Sequence, residues 1–306
     1  MNCLVLGGAG FIGQHLTKRL LSEGHNVTII DNFSTSSFEN IKSYTDKLIL
    51  INSDLKEIND EFLLSIFKQQ DIIYHLAGSV GVSLGDKNPK DTLFNNVGLA
   101  NKLIPLFDKA KTHVVFSSTS EVYGNGPTFR EEDFTAIGPS SKTRWGYSCS
   151  KLLTEFMLRA SDCPHTIVRF FNVVGPGQLG DYGMVLPRFV AAAKDGRDLR
   201  VYGDGNMVRS FCHVEDMLDT LLEIQNDSGE LYNLGNNKEP VTMIELANRV
   251  IKVAGSTSKI KIVPYSEAFS QKFEDIFYRV PNLDKLNQRI NYSPKYGLDD
   301  IIRDML

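Results

Sequence analysis

An α/β fold built on a Rossmann-type doubly wound parallel sheet, followed by a smaller mixed α/β unit, is predicted by three observations. Short β-branched runs alternate with amphipathic stretches through the first half, the first run enters a glycine turn that opens a helix, and the second ends on an aspartate. The first run is CLVL (3–6), and in FIGQHLTKRLL behind it Phe11, Ile12, Leu16 and Leu20 share one helical face. The runs VTII (27–30), LILI (48–51), DIIYHL (71–76), HVVFSS (113–118) and HTIVRF (165–170) continue the sheet. Beyond Asn172 the pattern loosens into VVGPGQLGDYG, then a helix is expected at 186–195, and the last third mixes short strands and helices. The expected division is a dinucleotide-binding domain over 1–174, with parts of 208–236 returning to it, and a substrate domain over 175–306. No internal repeat, low-complexity tract or linker stands out.

Composition narrows the function classes. With 306 residues, 42% of them hydrophobic, the chain can bury a sizeable core. The net charge of -4, spread evenly, offers no basic stripe for nucleic acid. Cys3, Cys149, Cys163 and Cys212 lie far apart without a CxxC pair, so neither a metal site nor a disulfide framework is expected, and a reducing, cytoplasmic setting is. The start MNCLVLGGAG does not read as a signal peptide. Nothing approaches the roughly 18 apolar residues of a membrane span. Small-molecule chemistry is what remains.

The glycine turn runs Gly7, Gly8, Ala9, Gly10, Phe11, Ile12, Gly13, a GxxGxxG spacing. Glycine suits it because the turn is tight, the backbone must approach a pyrophosphate and the helix must pack near the strand. The helix start then offers free amides to phosphate. Asp31, at the end of the second run, can accept hydrogen bonds from a ribose diol and would repel an extra ribose phosphate, which favours NAD over NADP. The expected cofactor set is Gly7, Gly10, Phe11, Ile12, Gly13, Asp31, Asn32, Asp54, Leu55, Leu76, Ala77, Gly78 and Ser117, with Tyr147 and Lys151. Asp54 reads equally as an adenine contact or as a loop acid capping a turn.

In RWGYSCSK, Tyr147 and Lys151 stand four apart in a helical stretch and so share a face. A phenol with a pKa near ~10 is a poor base unless a neighbouring ammonium favours its anion; lowering it by ~3 pH units corresponds to ~4 kcal/mol. Lys151 is expected to supply that charge and to hold the nicotinamide ribose. In SSTSEVYG (117–124), Thr119, Ser120 and Glu121 fall where a parallel strand opens into the loop that binds ligands.

Taken in order, GGAGFIG, Asp31, HLAG, STSEVYG, YSCSK, RFFNVVGPG and RSFCHVEDM resemble the extended short-chain dehydrogenase/reductase family of nucleotide-sugar epimerases, dehydratases and decarboxylases, over nearly the whole chain. The resemblance implies NAD-dependent oxidation of the carbon-4 hydroxyl of a UDP- or GDP-linked hexose or heptose to a 4-keto sugar, of 4-dehydrogenase or 4-epimerase type. Thr119 would hydrogen-bond that hydroxyl, Tyr147 accept its proton and Lys151 support tyrosine and cofactor. Ser120 and Asn172 would touch the sugar nucleotide, Arg209 in VRSF its diphosphate, and Arg279 in FYRVPNLDK is a second candidate for that group. Arg209 reads alternatively as a salt bridge between domains. The family also implies a homodimer through helices near 92–110 and 148–160, whose apolar faces would otherwise pack internally.

Glu121 bears on the fate of the oxidised sugar. A 4-ketone acidifies the proton on carbon 5 and activates a carboxylate there for loss as carbon dioxide. Simple 4-epimerases of the family usually carry a small or neutral residue at this position; 4,6-dehydratases and uronate decarboxylases resemble this chain in having Glu. Without a substrate carboxylate, Glu121 would only position water or a hydroxyl. KTRWGYSCSK resembles a bacterial uronate-decarboxylase pattern, with Arg144 either meeting a substrate carboxylate or capping and orienting the helix start. HLAGSVGVSLGDKNP places Ser83 and Gly85 where the family often has arginine and serine. That departure ranks release or relay of the 4-keto sugar, epimerisation included, ahead of decarboxylation and 4,6-dehydration. A non-catalytic NAD-sensing module would be expected to lack the tyrosine or the lysine.

Overall fold

The computed structural model describes residues 1–79, 88–126, 128–180, 183–268 and 274–306. Its first half comprises β1 (Asn2–Leu6), α1 (Phe11–Ser22), β2 (Asn26–Asp31), β3 (Ile49–Asn52), α2 (Asp60–Phe67), β4 (Ile72–His75), α3 (Pro89–Ala110), β5 (His113–Thr119), α4 (Trp145–Arg159) and β6 (His165–Phe170). Then come β7 (Val173–Val174), α5 (Val185–Lys194), β8 (Leu199–Tyr202), β9 (Val208–Arg209), β10 (Cys212–His213), α6 (Val214–Ile224) and β11 (Glu230–Leu234). The chain finishes with β12 (Val241–Thr242), α7 (Met243–Ala254), β13 (Ile260–Val263), α8 (Tyr265–Ala268), β14 (Tyr278–Arg279), α9 (Asp284–Arg289) and α10 (Leu298–Met305). Ser83 and Gly85, the two departures from the family pattern, lie outside the described residues.

Seven parallel strands form the main sheet in the order β11-β6-β5-β4-β1-β2-β3. The order reverses beside β1, and a crevice opens there at the carboxyl ends of the strands. Register makes that crevice chemically dense: Leu6 lies opposite Ile30 and His75, so Gly7, Asp31 and Leu76 all emerge at one edge. Alternation along β1 splits the core. Cys3 and Val5 join Leu16 and Leu20 of α1 and Met217, Leu218 and Leu221 of α6. Leu4 and Leu6 join Leu63 and Phe67 of α2, Leu99, Leu103 and Phe107 of α3, and Leu158 of α4. Burying each such leucine or phenylalanine contributes about 1.5–3 kcal/mol, so the helices are pinned to both faces and the crevice is held between them.

A second core gathers Leu186, Phe189 and Val190 of α5, Leu199 and Val201 of β8, Leu246 and Val250 of α7, and Ile301 and Ile302 of α10. Helix α7 shows why the chain starts and stops where it does. The Thr242 hydroxyl accepts from the Glu245 amide while the Glu245 carboxylate accepts from the Thr242 amide, and Gly255 ends the helix at φ 59°. The segment from 208 onward divides its loyalty: β9 pairs with β12 and β14, whereas β11 forms an edge of the main sheet against β6.

Candidate active site

The glycine turn is fixed by backbone contact. Gly7 sits at φ 82°, and a Cβ there would come within 2.9 Å of the Ala77 nitrogen. On Gly13 a Cβ would lie 2.2 Å from the Gly7 carbonyl oxygen and 2.7 Å from Gly8 Cα. Gly10 caps α1 with no side-chain hydrogen bond, and the first turn holds no acid, so its amides stay available to an anion. Asp31 accepts from the Ala9 amide at 2.9 Å, the Phe33 amide at 2.8 Å and the Ser36 hydroxyl at 3.0 Å. A carboxylate offers about four acceptor positions, so Asp31 braces the turn and keeps capacity for a ribose hydroxyl. These residues fit a dinucleotide. Asp54 accepts from the Lys56 amide at 2.9 Å and the Asn32 amide group at 3.1 Å, the geometry of a turn cap at the cleft wall.

One cleft of about 550 Å³ runs from this turn past Leu76, Ala77 and Gly78 to Thr119 and Tyr147, and on to Arg188, Tyr202 and Tyr265. Every residue singled out from the sequence as cofactor-facing, catalytic or substrate-facing lines it, including Phe11, Ile12, Leu55, Ser117 and Ser120. Thr119 ends β5, and α4 carries Tyr147 and Lys151 to it. Lys151 is only 4% exposed. Its ammonium donates to the Ser117 carbonyl at 2.8 Å and lies 4.9 Å from the Phe116 ring centroid. Burial pulls its pKa down from 10.5 to about 8, with Glu155 opposing.

Tyr147 departs from expectation. Burial pushes its phenol above the usual value and the Glu121 carboxylate adds to this; hydrogen bonding with Thr119 and the charge of Arg279 pull the other way. Lys151 is therefore not among the foremost influences on the phenol. Tyr147 rests as a protonated phenol.

The supports behind the pair are not legible as motifs in the sequence. Asn96 on α3 accepts from the Ser79 amide at 2.8 Å and donates to the Ser150 hydroxyl at 3.2 Å, joining the loop after β4 to α4. Glu155 takes a two-pronged pair from Arg169 at 3.0 and 2.6 Å, fully inside the protein, and also accepts from the Ser118 hydroxyl. The signal that could have found it is the place of Glu155 one turn beyond Lys151 on the helix.

At the Thr119 end of the cleft lies a buried chain of alternating charge. Glu121, 8% exposed, is 3.1 Å from Arg279 and 3.4 Å from Arg144. Arg144 reaches on to Asp275 at 2.6 Å and to the Glu274 carbonyl at 3.0 Å. Asp275 is 3.2 Å from Arg209, whose other donors meet the carbonyls of Val208, Ile276 and Phe277. Arg279 also donates to the Asn172 side chain. Arg144 makes no side-chain cap on α4; it ties the helix start to the segment around Asp275 instead. Arg209 is not a bridge between the two cores, since Asp275 and the carbonyls that hold it belong to the same small β9–β14 region. Burial, then the charge of Arg279, pull its pKa down to about 10. Asp275 had no motif to announce it beyond its position four residues before Arg279.

Residues 3–235 match the NAD dependent epimerase/dehydratase family. The chain belongs to that family. It is 34% identical, over 99% of its length and 96% of the relative's, to the UDP-N-acetyl-alpha-D-glucosaminuronate decarboxylase of Bacillus cytotoxicus. It is 32% identical to UDP-glucuronic acid decarboxylase 4 of Arabidopsis thaliana, over 97% of this chain but only 66% of the plant protein. Among solved structures, UDP-glucuronic acid 4-epimerase from Bacillus cereus, in complex with UDP-glucuronic acid and NAD, superposes with a TM-score of 0.86 at 25% identity, covering 99% of this chain and 97% of that one. The protein is thus an NAD-dependent enzyme of the nucleotide-sugar epimerase/dehydratase type. Among the described residues no helix is long and apolar enough to cross a membrane, and no group of three or more His, Cys, Asp or Glu is placed to hold a metal ion.

Proposed function

We propose that this enzyme oxidises carbon 4 of a UDP-linked uronic acid and then removes the carboxyl group from carbon 5. The observation that carries the reading is the buried chain Arg279–Glu121–Arg144–Asp275–Arg209. Its three guanidiniums and two carboxylates sum to one net positive charge beside Thr119 and Tyr147. A buried net charge is costly unless an anion meets it; the diphosphate meets the Arg209 end, and Arg279 and Arg144, which share the single carboxylate of Glu121 at the other end, suit a second anion, the carboxylate of the sugar. This reverses the ranking drawn from HLAGSVGVSLGDKNP (75–89), and the relatives named as uronate decarboxylases support it.

In this reading Gly7, Gly10 and the first turn of α1 hold the pyrophosphate of the dinucleotide, Asp31 a ribose and Lys151 the second ribose. Bound NAD supplies the acceptor for the hydride that leaves carbon 4. Thr119 orients the carbon-4 hydroxyl, and Tyr147 takes its proton in the minority phenolate form, which Thr119 and Arg279 favour against burial and Glu121. With a ketone at carbon 4, the bond from carbon 5 to the carboxyl carbon breaks, its electron pair moves towards the carbon-4 oxygen, and carbon dioxide leaves. Tyr147 then donates to that oxygen, the task for which its raised pKa suits it; the enol gives that proton back to Tyr147 as carbon 5 takes up another, and the resulting ketone would regain the hydride at carbon 4 and the Tyr147 proton at its oxygen, so carbon dioxide is the net loss. Arg279 and Arg144 draw the substrate carboxylate in, while Glu121 between them keeps the arginines from holding it so tightly that loss is slowed. Arg209 anchors the diphosphate through its planar fork.

The same reading divides the chain into a dinucleotide unit, 1–174 joined by β10, α6 and β11, and a sugar-nucleotide unit from the remainder. It also includes a second copy. Phe94 on α3 and Leu153 and Phe156 on α4 are 67%, 41% and 63% exposed on the outer sides of helices whose inner sides fill the core, and a helix-to-helix dimer would cover them.

The test is incubation with UDP-glucuronic acid and its N-acetylated analogue, with products read by mass. Loss of carbon dioxide is expected; no change of mass marks a 4-epimerase, and loss of water a dehydratase. Tyr147→Phe should lower turnover by about 10²–10⁴-fold without changing the melting temperature by more than a few degrees. Retained turnover in that variant contradicts the assigned role.

A further inference from the structure

We propose that Asp275 is a positioning residue that competes with the substrate's diphosphate for Arg209 and thereby keeps Arg144 set against Glu121. The inference rests on the nucleotide-diphosphate reading above and adds to it a residue with no assigned role.

One carboxylate oxygen, Oδ1 of Asp275, carries the arrangement. It accepts from Arg144 at 2.6 Å, from Arg209 at 3.2 Å and from the Ile276 amide at 2.8 Å. Both arginines and Asp275 line the same cleft, so a ligand anion reaches them together. Among the described residues Asp275 is the one carboxylate within ion-pair distance of Arg209. Arg144 has a second carboxylate, Glu121, at 3.4 Å. Asp275 therefore leans towards Arg144 and holds Arg209 more loosely. An arriving diphosphate takes over Arg209 with little movement and leaves Asp275 wholly to Arg144.

The aspartate is fixed from outside the cluster. Its neighbour Glu274 accepts from the Trp145 indole at 3.0 Å, and the Phe277 amide donates to the Asn125 side chain at 2.9 Å. The start of the helix bearing Tyr147 is thus tied to the segment bearing Asp275 and Arg279. Burial would raise the Asp275 pKa, but Arg144 and Arg209 outweigh it and hold the carboxyl below the usual range, so it stays charged.

Removing that charge has two opposed effects. The cluster gains a second unit of net positive charge, so a diphosphate binds more tightly. Arg144, released from Asp275, closes on Glu121, and the sugar end is mis-set. A purely structural carboxylate would weaken binding and turnover together. Here they separate.

The experiment compares the full-length protein with Asp275→Asn, Asp275→Ser and Asp275→Glu, measuring UDP affinity by calorimetry and turnover of UDP-glucuronic acid. The two neutral variants differ in size so that a folding failure of one leaves the other. Each should bind UDP on the order of tenfold more tightly while turnover falls by a similar factor or more. Asp275→Glu, which restores the charge, should recover both towards wild type. Neutral variants that bind UDP no better than wild type overturn the proposal. Wild-type protein that binds no UDP would instead overturn the diphosphate reading on which the proposal rests.

Discussion

Replacing Lys151 by Met should stabilise the protein while abolishing its chemistry. The ammonium is buried, and its pKa falls from 10.5 to about 8 because burial disfavours the charged form. At 1.36 kcal/mol per pH unit that interval corresponds to roughly 3 kcal/mol carried as a cost at neutral pH. Methionine has a similar shape and no charge, but it leaves the Ser117 carbonyl without its 2.8 Å donor, which costs about 1–2 kcal/mol. The net expectation is about 1–2 kcal/mol in favour of the variant, or about 2–3 °C in melting temperature for a chain of this size. The pH dependence gives the sharper test. Between pH 8 and 10.5 the unfolded chain binds more protons at this site than the folded one, so wild-type stability gains with rising pH across that window. The Met variant lacks this gain, and its advantage should shrink towards pH 10.5. Melting both proteins, freed of nucleotide, at several pH values subtracts every titration they share. A variant less stable than wild type at pH 7, or an advantage that is flat with pH, would refute the reasoning.

Two further outcomes are expected. Gly13→Ala pushes a methyl to 2.2 Å from the Gly7 carbonyl and 2.7 Å from Gly8 Cα; rigid backbone is what it meets, so a loss of about 1–3 kcal/mol in stability and at least tenfold in NAD affinity should appear in melting and titration. Breaking the inner ion pair with Glu155→Gln or Arg169→Met alone should cost about 3–5 kcal/mol by leaving one charge buried and unpaired, whereas the double variant should recover most of it; denaturant unfolding of the full cycle measures the coupling, and additive losses would contradict it.

Much of the glycine-turn end of the cleft was legible in the linear chain because its determinants are local. A run of β-branched residues, a turn that only glycine can make and an acid at the next strand end lie within 31 positions. Strand and helix periods reveal each element separately, and parallel pairing then brings Gly7, Asp31 and Leu76 to one edge. Tyr147 and Lys151 were legible for the same reason, since four residues make about one helical turn.

The charged end of the site was decided by tertiary structure. Glu121 and Arg279 meet across a separation of 158 positions, and Asp275 joins Arg144 across 131. No spacing rule connects such residues. The acid–base character of Tyr147 and Lys151 was hidden too, because desolvation depends on what surrounds a group and the surroundings come from the whole fold. Order along the chain determined the glycine turn and the acid beside it; packing between distant segments determined which charges face the cleft near Thr119 and how willing each is to give up a proton.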